Sequence, residues 1–157
     1  MKKAILFVIL TAGLLFAGCS QPGTIVPWSS SVDTSNPGNA AKFASLDFSD
    51  VTTIPEPDEI VFHHKGKETV YPKGEDKYEE TLSHVHKIFA GKMERLLLAV
   101  DLPTELKLQD ILEYRYEDAD SIYFALYGEY ENWIWYPTAD AAYGNGQNAE
   151  ELVNFLK

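Results

Sequence analysis

The chain predicts an α+β domain: an antiparallel sheet of about five strands, in the order β-β-α-β-β-β-α, with helices packed on one face. Three observations predict it. Short strand-like runs bounded by turn residues fall at 60–71 and again at 111–136. Between them, Tyr78, Leu82, Val85, Phe89, Met93, Leu96 and Val100 follow one another by three or four, which places them on one helical face. Strands grouped before and after a helix point to one sheet under one helical layer rather than to alternating βαβ units.

The first strand pair reads as a hairpin over 59–71. Ile60, Val61, Phe62, His63 and His64 form one arm, Lys65-Gly66 the turn, and Glu68, Thr69, Val70 and Tyr71 the return. Pro72, Lys73 and Gly74 stop it. The helix is expected over 75–100, with Gly91 able to divide it and Pro103 beyond its end. Strands at 111–117 and 121–127 are joined through Asp118-Ala119-Asp120, and a third at 133–136 completes a meander. A loop over 137–147, with Pro137, Gly144 and Gly146, leads to a short terminal helix. Asn148 and Glu151 fit a capping box there, and Leu152, Phe155 and Leu156 supply the apolar face.

The domain is expected to span 43–157, with 43–54 packed on its edge through Phe43, Leu46, Phe48 and Val51. Residues 19–42 are rich in Ser, Pro, Gly, Asn and Thr and read as a flexible tether averaging about 25–30 Å in span. Residues 1–18 have the three parts of a signal peptide: Lys2 and Lys3, an apolar run over 4–15, and the small pair Ala17-Gly18. The run is short for a membrane span of about 20 residues. Cys19 follows the small pair directly and is the chain's one cysteine.

This segment resembles bacterial lipoprotein signals, although Phe16 stands where Leu is usual. The resemblance implies a diacylglyceryl group on the Cys19 sulfur, cleavage before Cys19, and a lipid anchor at the extracytoplasmic face of the cell membrane. Each buried CH₂ of an acyl chain contributes about 0.8 kcal/mol, so two or three chains (palmitate-like in length) hold firmly. Lipidation would consume the lone thiol and leave the domain without disulfide, thiolate ligand or cysteine nucleophile.

The net charge is −11 from 13 basic and 24 acidic residues, and loss of Lys2 and Lys3 takes it to −13. Such a domain repels phosphate backbones, which argues against nucleic acid as a partner. It would not adhere to anionic lipid by itself either.

The residues that could carry chemistry each have a plainer reading. His63 and His64 are adjacent on a strand and point to opposite faces. His84 and His86 lie about 200° apart around a helix. Asp118, Asp120 and Glu129 fit positions of a calcium loop, but Ile122 and Tyr123 fall where an oxygen ligand and a glycine are needed. Gly144, Gly146 and Ala149 spell G-x-G-x-x-A without a strand directly before them or an acidic residue about 20 positions later. There is no G-x-S-x-G. Neither a cofactor, a metal nor an enzymatic activity is expected.

Aromatic residues, 13% of the chain, remain as the clue to function. Trp133 and Trp135 share one strand face, Tyr114 and Tyr116 another, and Tyr123 and Tyr127 a third. With Tyr143 they form the candidate binding surface, on a sheet face that helices leave uncovered. Segment 43–54 or a long loop could equally cover such a face. The expected role is binding a protein or peptide of the envelope, with the 137–147 loop contributing; stacking on wall glycans is the alternative, and an envelope hydrolase the third.

Asp58-Glu59-Ile60-Val61-Phe62, the Lys65-Gly66-Lys67 turn, the single amphipathic helix, Leu112-Glu113-Tyr114-Arg115-Tyr116 and the closing Tyr143-Gly144 and Glu151-Leu152 resemble small uncharacterised lipoproteins of Gram-positive, clostridia-like bacteria. The likeness covers about 100 residues, from Asp58 to Lys157. It implies a fold of this kind and carries no activity or site residues with it.

Overall fold

The computed structural model describes residues 35–96, 109–126, 132–139 and 141–157. Helix α1 (Pro37–Lys42) leads through a 3-10 turn (Val51–Thr53) to strands β1 (Glu59–His64) and β2 (Lys67–Pro72). Helix α2 (Asp76–Ile88) and strand β3 (Glu94–Leu96) follow. Then come β4 (Ile111–Arg115), β5 (Ile122–Ala125), β6 (Trp133–Tyr136), β7 (Ala141–Gly144) and helix α3 (Glu150–Leu156). The strands make one antiparallel sheet in the order β2-β1-β4-β5-β6-β7-β3. The class is α+β, but the sheet has seven strands rather than about five.

The two extra strands have separate causes. Gly91 takes a φ of 92°, and the helix expected to run to 100 gives way to β3 beyond it. Met93 and Leu96 would share a helix face, but on an extended chain they point to opposite sides. Both sides offer burial: Met93 joins the large core, and Leu96 packs with Ala142 on the other face. Residues 97–100 of the expected helix lie outside the described residues. Strand β7, Ala-Ala-Tyr-Gly, lies in the expected 137–147 loop and has no β-branched residue to announce it. Its glycine is required by proximity: a Cβ on Gly144 would sit 2.9 Å from the Asn132 carbonyl oxygen and 2.9 Å from Leu96 Cδ1.

The β1–β2 hairpin forms as expected, in register from Glu59↔Pro72 to His64↔Lys67. Its two-residue turn has positive φ at both Lys65 (50°) and Gly66 (75°), the twist that suits adjoining strands. One face of the sheet carries Ile60, Phe62, Leu112, Tyr114, Ile122, Phe124, Ile134 and Tyr136. It buries these against Tyr78, Leu82, Val85 and Phe89 from α2 and its C-terminal end, and against Leu152, Val153 and Leu156 of α3. Lys87 pairs with Glu151 across the two helices at 3.2 Å, so Glu151 does not close a capping box; Asn148 Oδ1 alone accepts the Glu150 N–H.

Segment 43–54 enters this core. Phe43 meets Tyr116 edge-on at 5.4 Å, and Phe48 packs on Tyr136 and Tyr143. The folded chain also starts before 43. Asn39 of α1 is fully buried, donates to Asp120 Oδ2 and accepts the Asp120 N–H, both at 2.9 Å. Lys42 meets Asp118 at 3.1 Å. The acidic turn that suggested calcium therefore holds α1, and 37–42 belongs to the domain rather than to the tether. Among the described residues, no helix is long and apolar enough to cross a membrane. Cys19 and the segment before it lie outside the described residues.

Candidate binding face

Strand alternation fixes what the second sheet face carries. Cross-strand register lines up Val70, Val61, Glu113, Tyr123, Trp135, Ala142 and Leu96 in one row across all seven strands. The neighbouring row holds Glu68, His63, Ile111, Ala125, Trp133, Gly144 and Glu94. Ala125, Trp133 and Ala142 form a small buried apolar cluster here, with Leu96 and Trp135 against it.

The candidate aromatic residues divide between the two faces. Tyr114, Tyr116 and Tyr143 lie on the helix side and are buried in the main core, so the surface role expected of them is corrected. Burial raises the phenol pKa of Tyr114 and of Tyr116 well above its usual value. Their parity on the strand matches Ile60 and Phe62, and so the core side follows from register. Trp133 is on the expected face but is buried. Tyr123 and Trp135 remain half-buried there, their ring centroids 5.9 Å apart and tilted by 34°. Tyr127 lies outside the described residues. Of the candidates, the structure brings Tyr123, Trp133 and Trp135 together and removes three to the opposite side.

Beside the aromatic pair lies a polar network that composition did not reveal. Glu113 is buried, with both carboxylate oxygens engaged. Ser121 Oγ donates to Oε1 at 2.8 Å, and Arg115 donates to both oxygens at 3.1 and 3.0 Å. His63 Nε2 lies 2.8 Å from Oε2. Burial alone would raise the Glu113 pKa; the hydrogen bonds from His63, Arg115 and Ser121 outweigh it and bring the carboxyl down to about 2. An ionised carboxylate only accepts, so His63 carries its proton on Nε2. The Ser121 hydroxyl proton points at the carboxylate and not at the imidazole, which does not make Ser121 a nucleophile. The available clue was parity: Glu113 and Arg115 are two apart, and His63 sits on the adjoining strand with the same facing.

Among the described residues, no three His, Cys, Asp or Glu side chains converge as a metal site needs. His64 turns to the other side, stacks on Phe62 and contacts Asp110. Gly146 and Asn145 belong to a loop that docks on α2, with Asn145 Nδ2 donating to the Ile88 carbonyl at 3.0 Å. No protein-family model, curated protein or solved structure matches the chain.

Proposed function

We propose that the protein is a lipid-anchored module of the cell envelope, held at the extracytoplasmic membrane face through acylated Cys19, that binds a protein or peptide partner without catalysing a reaction. The Lys2-Lys3 start, the apolar run and Ala17-Gly18-Cys19 support the anchor. The observation that carries the binding role is the half-buried Tyr123–Trp135 pair on the sheet face turned away from α2 and α3. Rigid rings with a polar network beside them favour recognition, because two aromatic side chains lose little freedom when a partner covers them. The second reading is a wall-glycan module; the tilted Tyr123 and Trp135 rings favour it, as sugars stack on such faces.

In-cell photocrosslinking from positions 123 and 135 tests the proposal. The expected result is one discrete adduct from both positions and none from a probe at Glu80 on α2. Absence of any adduct from 123 and 135 would contradict it.

A further inference from the structure

The sheet ends on one side in β2, a six-residue strand whose Lys67, Glu68, Thr69 and Val70 are all exposed. The strand at the other end, β3, has three residues. The two-residue turn makes His64↔Lys67 a pair that exchanges both N–H···O bonds, and such pairs alternate along an antiparallel ladder. Phe62↔Thr69 and Ile60↔Tyr71 are bonded in the same way, so Glu68 and Val70 turn their N–H and C=O groups away from β1. Pro72 has no N–H, and its carbonyl accepts the Glu75 N–H at 3.3 Å. Two donors and two acceptors, at 68 and 70, are left open on the edge, without a partner among the described residues. An open edge of this kind is a template for one more strand.

Side chains along the edge restrict what that strand is. Val70 is 42% exposed, the one large apolar side chain so placed among the described residues. Glu68 is answered inside the domain, 3.7 Å from His63 Nδ1 and 3.8 Å from Arg115. Lys65 and Lys67 are exposed and have no ion pair among the described residues. The edge is therefore locally cationic in a chain of net charge −11.

A second copy of β2 does not fit. An antiparallel pair of β2 strands that keeps Glu68 and Val70 in the ladder is centred on Glu68, Thr69 or Val70. The first sets Glu68 against Glu68, the second sets Glu68 against Val70, and the third sets Lys67 against Lys73. Like charges directly opposite destabilise a strand pair, and opposite charges support it. A strand that suits this edge places an apolar side chain opposite Val70 and a carboxylate opposite Lys67, three positions later in its own sequence. Residues 20–34 contain no apolar residue followed three positions later by Asp or Glu. One such carboxylate suffices, because the net charge of the chain repels a polyanion.

We propose that the β2 edge takes an extended segment of another protein as an eighth, antiparallel strand, carrying an apolar residue and, three residues on, an acidic one. This site is separate from Tyr123 and Trp135, which lie three and four strands away, about 14 and 19 Å across the sheet.

The test uses the full chain purified from its host and labelled hexapeptides read by fluorescence anisotropy. Thr-Val-Thr-Thr-Glu-Thr is expected to bind. The same peptide N-methylated at Val and at the Thr before Glu, which removes the donors facing 70 and 68, is expected not to bind. With Lys in place of Glu, binding should weaken on the order of fivefold. Lys67→Glu should reverse the preference between the Glu and Lys peptides. Lys92→Glu, the same change of charge beside β3, should leave it unaltered. Val70→Pro removes an outward N–H, leaves the β1 ladder intact and should abolish binding, with the fold checked by circular dichroism. Undiminished binding of the N-methylated peptide, or no binding of any peptide, would overturn the added strand. Equal binding of the Glu and Lys peptides, or an equal effect of Lys92→Glu, would overturn the acidic partner. A dimer in analytical ultracentrifugation that Val70→Pro dissociates would overturn it in favour of a second copy. Crosslinks from 123 and 135 report on the other face and are unaffected by any of these outcomes.

Discussion

Glu113 is the residue on which the second sheet face turns. A buried carboxylate is tolerated only when its oxygens are answered, and here His63, Arg115 and Ser121 answer them. Glu113→Gln is expected to cost about 3 kcal/mol in urea unfolding, because it leaves donors facing an amide. The pH dependence follows from the lowered pKa. The native carboxyl titrates near 2, below its usual 4.5, so its stabilisation is complete above about 4.5 and is lost as the pH falls from there toward 2. Glu113→Gln should flatten stability measured over that window. Tyr114 and Tyr116 act at the other end. Burial raises their pKa, so the neutral phenols stabilise the fold below pH 10, and that stabilisation falls as the pH rises past 10. Absorbance titration should find these phenols ionising together with unfolding. None of this was legible from residue type. Glu113 reads as one of 24 acidic residues until register sets it beside His63.

Elements were legible where local chemistry and tertiary demand agree. The 59–72 hairpin, β6 and α2 could be read because turn residues and periodicity point the same way. Strand β3 could not, because burial on both sheet faces mimics a helical stripe in Met93 and Leu96. Nor could α1, whose polar sequence folds because Asp118 and Asp120 supply partners about 80 residues away. A Cβ on Gly38 would fall 1.4 Å from the Asp118 carbonyl oxygen. Gly38→Ala should therefore release α1, cost about 2 kcal/mol and open residues 36–42 to limited proteolysis. The hairpin turn offers the opposite change. Lys65 holds a left-handed backbone that Asn adopts more readily, and Lys65→Asn should raise stability by about 0.5 kcal/mol in thermal unfolding.

At the scale of the whole molecule, the sheet face under α2 and α3 holds most of the buried apolar side chains, while the second face buries Val61, Ile111 and Ala125 and leaves Tyr123 and Trp135 half-buried. The acidic charge bears on where the protein can stay. A domain of this sign has no electrostatic reason to rest on anionic lipid, so under the proposed anchoring it is the acyl chains that would hold it at the membrane. Cys19→Ser should move the protein from the membrane to the soluble fraction, with folding unchanged by circular dichroism.

The most direct measurement is the mass of the mature N-terminus of protein isolated from its host. A first residue Cys19 carrying a diacylglyceryl thioether is the expected result. An intact Met1 with an unmodified Cys19 thiol would contradict it.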